Sequence, residues 1–186
     1  MEAILIILAI VVVLAVLLIA IYNRLVALRQ TTRQAWSDIE VQLKQRQDLV
    51  PQLVNTVKGY AAHERETLDE VISARQAAVS ATTVEGQAQA EGMLGQALGR
   101  LFALAEAYPD LKANTNFLQL QDQLSDIENK IAASRRFYNN AVQEYNTATE
   151  QFPAVLIAGP FNFQPREFFE APEGREMLQT PVEVTF

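Results

Sequence analysis

His63 and Glu64, in the stretch GYAAHERETL (59–68), are where this chain comes closest to a catalytic motif. A histidine followed by a glutamate on a helix suggests half of an H-E-x-x-H zinc site, in which two imidazoles four residues apart share one helical face. Position 67 is Thr67 and the chain holds a single histidine, so that site cannot be completed. The other chemistry of such a pair is phosphate acceptance by a histidine on a bundle helix. A kinase would also need an ATP-binding region, and neither a Gly-rich phosphate loop nor an α/β segment is present. A bare phosphotransfer module using His63 stays open, beside the plainer reading of a partly exposed helical histidine at the edge of an apolar seam.

The remaining reactive residue types offer less. There is no cysteine, which excludes disulfides, thiol catalysis and Cys-based zinc sites. With one histidine besides, little is left for a transition metal. Arg135 and Arg136 lie beside aromatics in ENKIAASRRFYNN, a pattern that can contact phosphate, but their neighbours Asp126 and Glu128 make them read as ion-pairing surface residues. Gly92, Gly95 and Gly99 fall along one side of a helix and are read as a close-packing face, with local looseness as the competing reading. No nucleophile elbow or ordered Ser/His/Asp set appears. The formal charge of −7 is a poor match to a nucleic-acid backbone. No catalytic, cofactor-binding or metal-binding residue is therefore expected, and the chain is not expected to be an enzyme.

The elements that carry these residues begin with AILIILAIVVVLAVLLIAI, residues 3–21, nineteen positions without a charge, a polar group, Gly or Pro. At about 1.5 Å per residue this spans about 29 Å, close to the hydrocarbon thickness of a bilayer. A cleaved signal peptide would have a basic start, a shorter core and a small-residue cleavage site. Met1-Glu2 and the following IYNRLVALRQ supply none of these, so a retained anchor is expected. Arg24, Arg29 and Arg33 follow the span and no basic side chain precedes it, which puts the N-terminus outside and the rest in the cytoplasm at a bacterial cell (inner) membrane.

Beyond the span, apolar positions recur at steps of three and four: Leu25, Leu28, Ala35/Trp36, Ile39 and Leu43. This periodicity predicts one helix running on to about Gln47. Asp48 then caps a second helix, with Pro51 in its first turn, that continues through His63 to Ala78. A third helix, capped by Thr82 or Thr83, carries Leu94, Leu98, Leu101, Ala105 and Tyr108 and stops before Pro109. A fourth keeps heptad spacing from Phe117 through Leu120, Leu124, Ile127, Ile131, Ser134, Tyr138, Ala141, Tyr145 and Ala148 to Phe152. Seams this long need partners along their length, so the expected fold class is all-α: a transmembrane helix followed by an antiparallel four-helix bundle with coiled-coil-like packing. The expected division is an anchor over 1–22, a cytoplasmic bundle over 23–153 and an irregular Pro/Phe-rich extension over 154–186, with VEVTF as a candidate strand. The aromatics of that extension are expected to cover a bundle end, with contact to a partner as the alternative.

Several stretches together resemble the LemA family of bacterial membrane proteins. They are YNRLVALRQ, AWSDIEVQLKQRQDLVPQLVNTVKGYAAHERETL, LFALAEAYPDLKANTNFLQLQDQL, NKIAASRRFYNNAVQEYN and FPAVLIAGPFNFQPREFFEA. The resemblance implies one N-terminal membrane helix with an external N-terminus and a cytoplasmic bundle of long helices. It implies no enzymatic activity, cofactor or catalytic residue. Pro160 and Asn162 depart from a family pattern closer to A-G-L-F-G-F. The function expected is a membrane-anchored scaffold or protein-interaction protein, whose partners are the membrane, other proteins and further copies of the chain, with phosphotransfer through His63 as the alternative.

Overall fold

The computed structural model describes residues 1–170. The fold is all-α, 82 % helical, with no strand among the described residues. Four long helices, α1 (Glu2–Lys58), α2 (Arg65–Ser80), α3 (Val84–Ala105) and α5 (Thr115–Glu150), are joined by short turns. Two single-turn helices, α4 (Pro109–Lys112) and α6 (Val155–Ala158), complete the set. The candidate strand VEVTF lies outside the described residues.

The first break falls eleven residues later than the sequence pattern predicts. Asp48 and Pro51 do not open a new helix; α1 runs through both to Lys58. Proline removes the N–H that would bond the carbonyl four residues earlier, which here belongs to Gln47. That carbonyl instead accepts a 2.7 Å hydrogen bond from Nε of Arg75 on α2, so the vacancy is filled from another helix. The chain leaves α1 at Gly59, where the Val57 carbonyl accepts from both Tyr60 N and Ala61 N at 3.0 and 2.9 Å. His63 accordingly sits in the α1–α2 turn, not within a helix.

The other ends follow local capping chemistry. Thr83 caps α3, its hydroxyl accepting from Gly86 N at 3.0 Å. Asn114 caps α5, Oδ1 accepting from Phe117 N at 3.0 Å. The α5 seam is buried from Phe117 to Ala148, with Ser134 half-buried, but Phe152 lies past the helix end and is 80 % exposed.

By packing, the chain forms two units. The first contains Met1–Ser37 and Arg136–Glu167. Within it Trp36 meets Tyr138 at 5.4 Å between ring centroids, while Leu25 clusters with Tyr145, Ala148, Ala154, Ala158 and Phe163. The order of these contacts makes α1 and α5 antiparallel. The segment after α6 lies back on α5: Tyr138 donates its hydroxyl to the Glu167 carbonyl at 2.9 Å. Asn146 grips both sides of the Arg166 backbone, accepting from its N at 2.8 Å and donating to its carbonyl at 2.9 Å. Phe163 is buried under this clip, with the Arg29 guanidinium 4.8 Å from its ring centre. Of the tail aromatics, Phe163 is buried in this cluster, whereas Phe161 and Phe168 are exposed. Asn162 has φ 57°, a left-handed conformation that glycine adopts freely and asparagine better than most residues.

The second unit contains Asp38–Arg135 and, of the described tail, residues 168–170. Its core is mainly aliphatic, with Phe117 of α5 the main ring in it: Ile39, Leu43, Val50, Leu53 and Val57 of α1, Leu68 and Val71 of α2, Leu94, Leu98 and Leu101 of α3, and Leu120 and Leu124 of α5 are all buried. Burying each such side chain stabilises the unit by about 1.5–3 kcal/mol before chain entropy is set against it.

Candidate functional site

The most unusual chemistry in the second unit is a buried polar layer that no catalytic template describes. Arg46 and Gln47 occupy the seam slot between Leu43 and Val50 and are 4 % and 6 % exposed. Facing them is Glu91 of α3, equally buried. Arg46 donates to Glu91 Oε2 at 3.0 Å with one terminal nitrogen and pairs with Glu128 Oε1 of α5 at 2.9 Å with the other. Glu91 Oε1 accepts from Gln47 at 2.9 Å and from Gln87 at 3.0 Å. Gln87 also donates to the Ala78 carbonyl of α2, and Arg75 of α2 donates to Gln47 O. One polar layer thus joins all four long helices.

Its parts require one another. A lone buried charge is costly, whereas a guanidinium held between two carboxylates is compensated. Burial pushes the Glu91 carboxyl above its ordinary 4.5, while Gln47, Arg46 and Gln87 oppose that shift by favouring the carboxylate. Gly95 lets the arginine pass: a Cβ there would lie 3.2 Å from Arg46 Nη2. Gly92 and Gly99 have open space where a Cβ would be, so the glycine stripe is not the helix-packing face expected of it. Close approach occurs at Gly95 alone of the three, and to a side chain.

The turn around His63 forms a second polar cluster. The Tyr108 hydroxyl lies 2.9 Å from His63 Nε2 and 2.9 Å from Glu64 Oε1. A phenol has one proton; donated to Glu64, it leaves the phenol oxygen to accept from His63, which places the imidazole hydrogen on Nε2. Partial burial, then the hydrogen bond to Glu64 and its charge, push the Tyr108 phenol up. Beside it Asn114 donates to the Tyr60 hydroxyl at 2.9 Å, so the residue that caps α5 also holds the α1–α2 turn. Glu64 precedes α2 without capping it, because its carboxylate is engaged with Tyr108. Through Tyr108, His63 and Glu64 form a clasp between two turns.

The second cluster brings together the segments AWSDIEVQLKQRQDLVPQLVNTVKGYAAHERETL and LFALAEAYPDLKANTNFLQLQDQL, which are far apart in the chain. Residues 35–186 match the profile of the LemA family. The chain belongs to the LemA family. Its relatives include magnetosome protein MamQ of Magnetospirillum gryphiswaldense, 27 % identical over 86 % of this chain and 69 % of the relative. MamQ 2 of Paramagnetospirillum magneticum is 28 % identical over the same shares, and protein LemA of Metamycoplasma hominis is 27 % identical over 81 % of this chain and 69 % of its own. None of these is the name of an enzyme.

The LemA match begins at Ala35, so both polar clusters lie inside it and the apolar span lies before it. Arg135 and Arg136 are exposed on α5; the acids near them take other partners, Asp126 pairing with Lys130 and Glu128 with Arg46. No group of three His, Asp or Glu able to hold a metal occurs among the described residues. The sequence reading missed Arg46, Gln47 and Glu91, although a signal was there. Each fills a slot where the seam periodicity asks for an apolar residue, and polar interruptions on two seams are the mark of a buried pair.

Proposed function

We propose that this LemA-family chain is a membrane-anchored helical scaffold or protein-interaction protein that acts through its surface and performs no catalysis. The observation that carries the reading is the start of α1: the one helix among the described residues long and apolar enough to cross a membrane, whose apolar residues are left exposed by the rest of the protein. The basic residues Arg24, Arg29 and Arg33 behind it favour an external N-terminus and a cytoplasmic bundle at a bacterial inner membrane. In the second unit, the buried charges are directed at each other, which serves alignment of helices and leaves the outward faces for contacts. Exposed apolar side chains there include Val41, Ile72, Val79, Met93 and Leu118. Other proteins and further copies of the chain are the partners such faces suit.

The phosphotransfer alternative has lost its structural premise. It assumed a histidine on a bundle helix, whereas His63 lies in a turn with Nε2 engaged by Tyr108. In-cell photo-crosslinking from Ile72 tests the leading reading. Discrete adducts with one protein would make the chain a subunit or regulator, and adducts with its own copies an oligomeric scaffold. A surface that yields no protein adduct from Ile72, Met93 or Leu118 would overturn the proposal.

A further inference from the structure

The first unit presents an apolar corner that its own packing does not cover. From Gln151 to Pro165 the chain carries no charged side chain. Within that run Phe152, Val155, Leu156 and Phe161 are 80, 47, 64 and 56 % exposed. Exposed aromatics and aliphatics concentrated on so few residues form a patch that needs an occupant.

The depth of this corner along α1 identifies the occupant. α1 and α5 run antiparallel, with Trp36 against Tyr138 and Leu25 clustered with Tyr145 and Ala148. One turn earlier on α1, Ile21, the last residue of the apolar span, packs against the same cluster, to which Ala154 and Ala158 beyond α5 belong. Tyr22 meets the rings of Phe161 and Phe163 at 5.2 and 5.6 Å. Leu18 and Ile19, which lie inside the span, line one apolar groove with Tyr22, Ile157 and Phe161. Leu18 is about 4.5 Å short of the end of the span at the helical rise. Residues packed against it share its depth, where hydrocarbon gives way to headgroups.

The geometry points to a second membrane contact: the α5–α6 corner, through Phe152, Val155, Leu156 and Phe161, inserts into the interface of the same bilayer that α1 crosses. The inference rests on the membrane-anchored reading and extends it from a one-point attachment to a two-point one. Its chemistry is that of interfacial segments, an apolar face without charge lying at the acyl–headgroup boundary beside a basic flank, here Arg24 and Arg29. A spanning helix alone leaves the attached protein free to rotate and tilt about its axis. A second contact on one side of that helix removes this freedom and fixes which face of the first unit looks at the lipid.

The absence of cysteine allows single-site labelling of the full chain. L156C, L8C and S73C, each carrying an environment-sensitive fluorophore, are compared in phosphatidylethanolamine–phosphatidylglycerol nanodiscs. The quenchers are lipids bearing shallow or deep nitroxides, and aqueous iodide. Leu8 reports the span, and Ser73 is exposed on α2. The expected result is blue-shifted emission at L156C, with shallow-nitroxide quenching and loss of the iodide quenching seen at S73C. Iodide access at L156C equal to that at S73C would overturn the inference, and so would shielding from both quenchers, which would mean that protein covers the corner. Deep-nitroxide quenching at L8C separates the two readings: if it holds while L156C fails, the anchor stands and the second contact falls. If L8C is also unquenched, the anchored reading itself falls.

Discussion

In the first unit the buried polar groups are neutral hydroxyls, those of Thr32 and Thr149 bonded within their own helices and that of Tyr138, whose ring packs on Trp36 of α1, reaching the Glu167 carbonyl. In the second unit Arg46 buries a full charge at the meeting of four helices. The two arrangements solve one problem differently. Long helices with repetitive apolar seams can slide by a turn at small cost, because Leu, Ile and Val pack almost as well one turn along. Large rings with a tail clipped over them fix the register in the first unit. In the second, where the seam is mainly aliphatic, register comes from a charge that is satisfied in one alignment only, since a slide of one turn would strand Arg46 and Glu91.

The difference predicts an order of effects. The largest is at Arg46. Arg46→Ala leaves the Glu91 carboxylate buried without its cation and should cost about 3–5 kcal/mol. Replacing both partners, as in R46M/E91L, should recover most of that loss, because an apolar pair carries no desolvation penalty. Denaturant midpoints of the full chain in detergent, followed by circular dichroism, would show it. A double variant no better than R46A would remove the charge-pair account. In the first unit the ring should matter and the hydroxyl little. Tyr145→Ala should cost about 3 kcal/mol or more through lost packing, whereas Tyr138→Phe should cost about 1 kcal/mol for its bond to the Glu167 carbonyl.

The glycines of α3 give a smaller and sharper contrast. Gly99→Ala meets open space and should stabilise by about 0.5–1 kcal/mol, the ordinary helical gain over glycine. Gly95→Ala should lack that gain, because its methyl group crowds a guanidinium pinned by Glu91 and Glu128. Equal midpoints for the two variants would mean that Arg46 is free to move.

Titration sharpens the same comparison with smaller shifts. Because burial raises the Glu91 carboxyl, its contribution is fully present below 4.5 and declines as pH rises through the folded value. Glu91→Gln should flatten the stability profile in that window and leave it unchanged elsewhere. Burial also raises the phenols of Tyr138 and Tyr145 above 10, so the first unit keeps its contribution up to 10 and loses it as pH climbs through the folded values. Phenolate absorbance against helical content would show whether both tyrosines ionise only as the structure opens.

Much of this was legible in the sequence. The apolar span, the three- and four-step seams, the Thr83 cap and the Tyr138–Tyr145–Ala148 face each follow from local pattern. The end of α1 was misplaced at Gln47, because proline in a first turn usually marks a helix start, whereas the helix runs to Lys58 before Gly59. What excused Pro51 is Arg75, twenty-eight residues beyond the carbonyl it satisfies, and no local rule reaches that far. Arg46 and Glu91 are similarly forty-five residues apart. Their places on the seams could be read from spacing, but their partnership needed the fold. His63 drew notice for its rarity, and its position in a turn followed from the same misplaced break.

The proposal that most needs testing is that α1 holds this chain in a membrane with its helical bundle on the cytoplasmic side. A Ser73→Cys chain, otherwise cysteine-free, exposed to a membrane-impermeant maleimide tests it most directly. The account predicts that Ser73→Cys stays unlabelled in intact cells and reacts fully once the membrane is opened. Labelling in intact cells would contradict it.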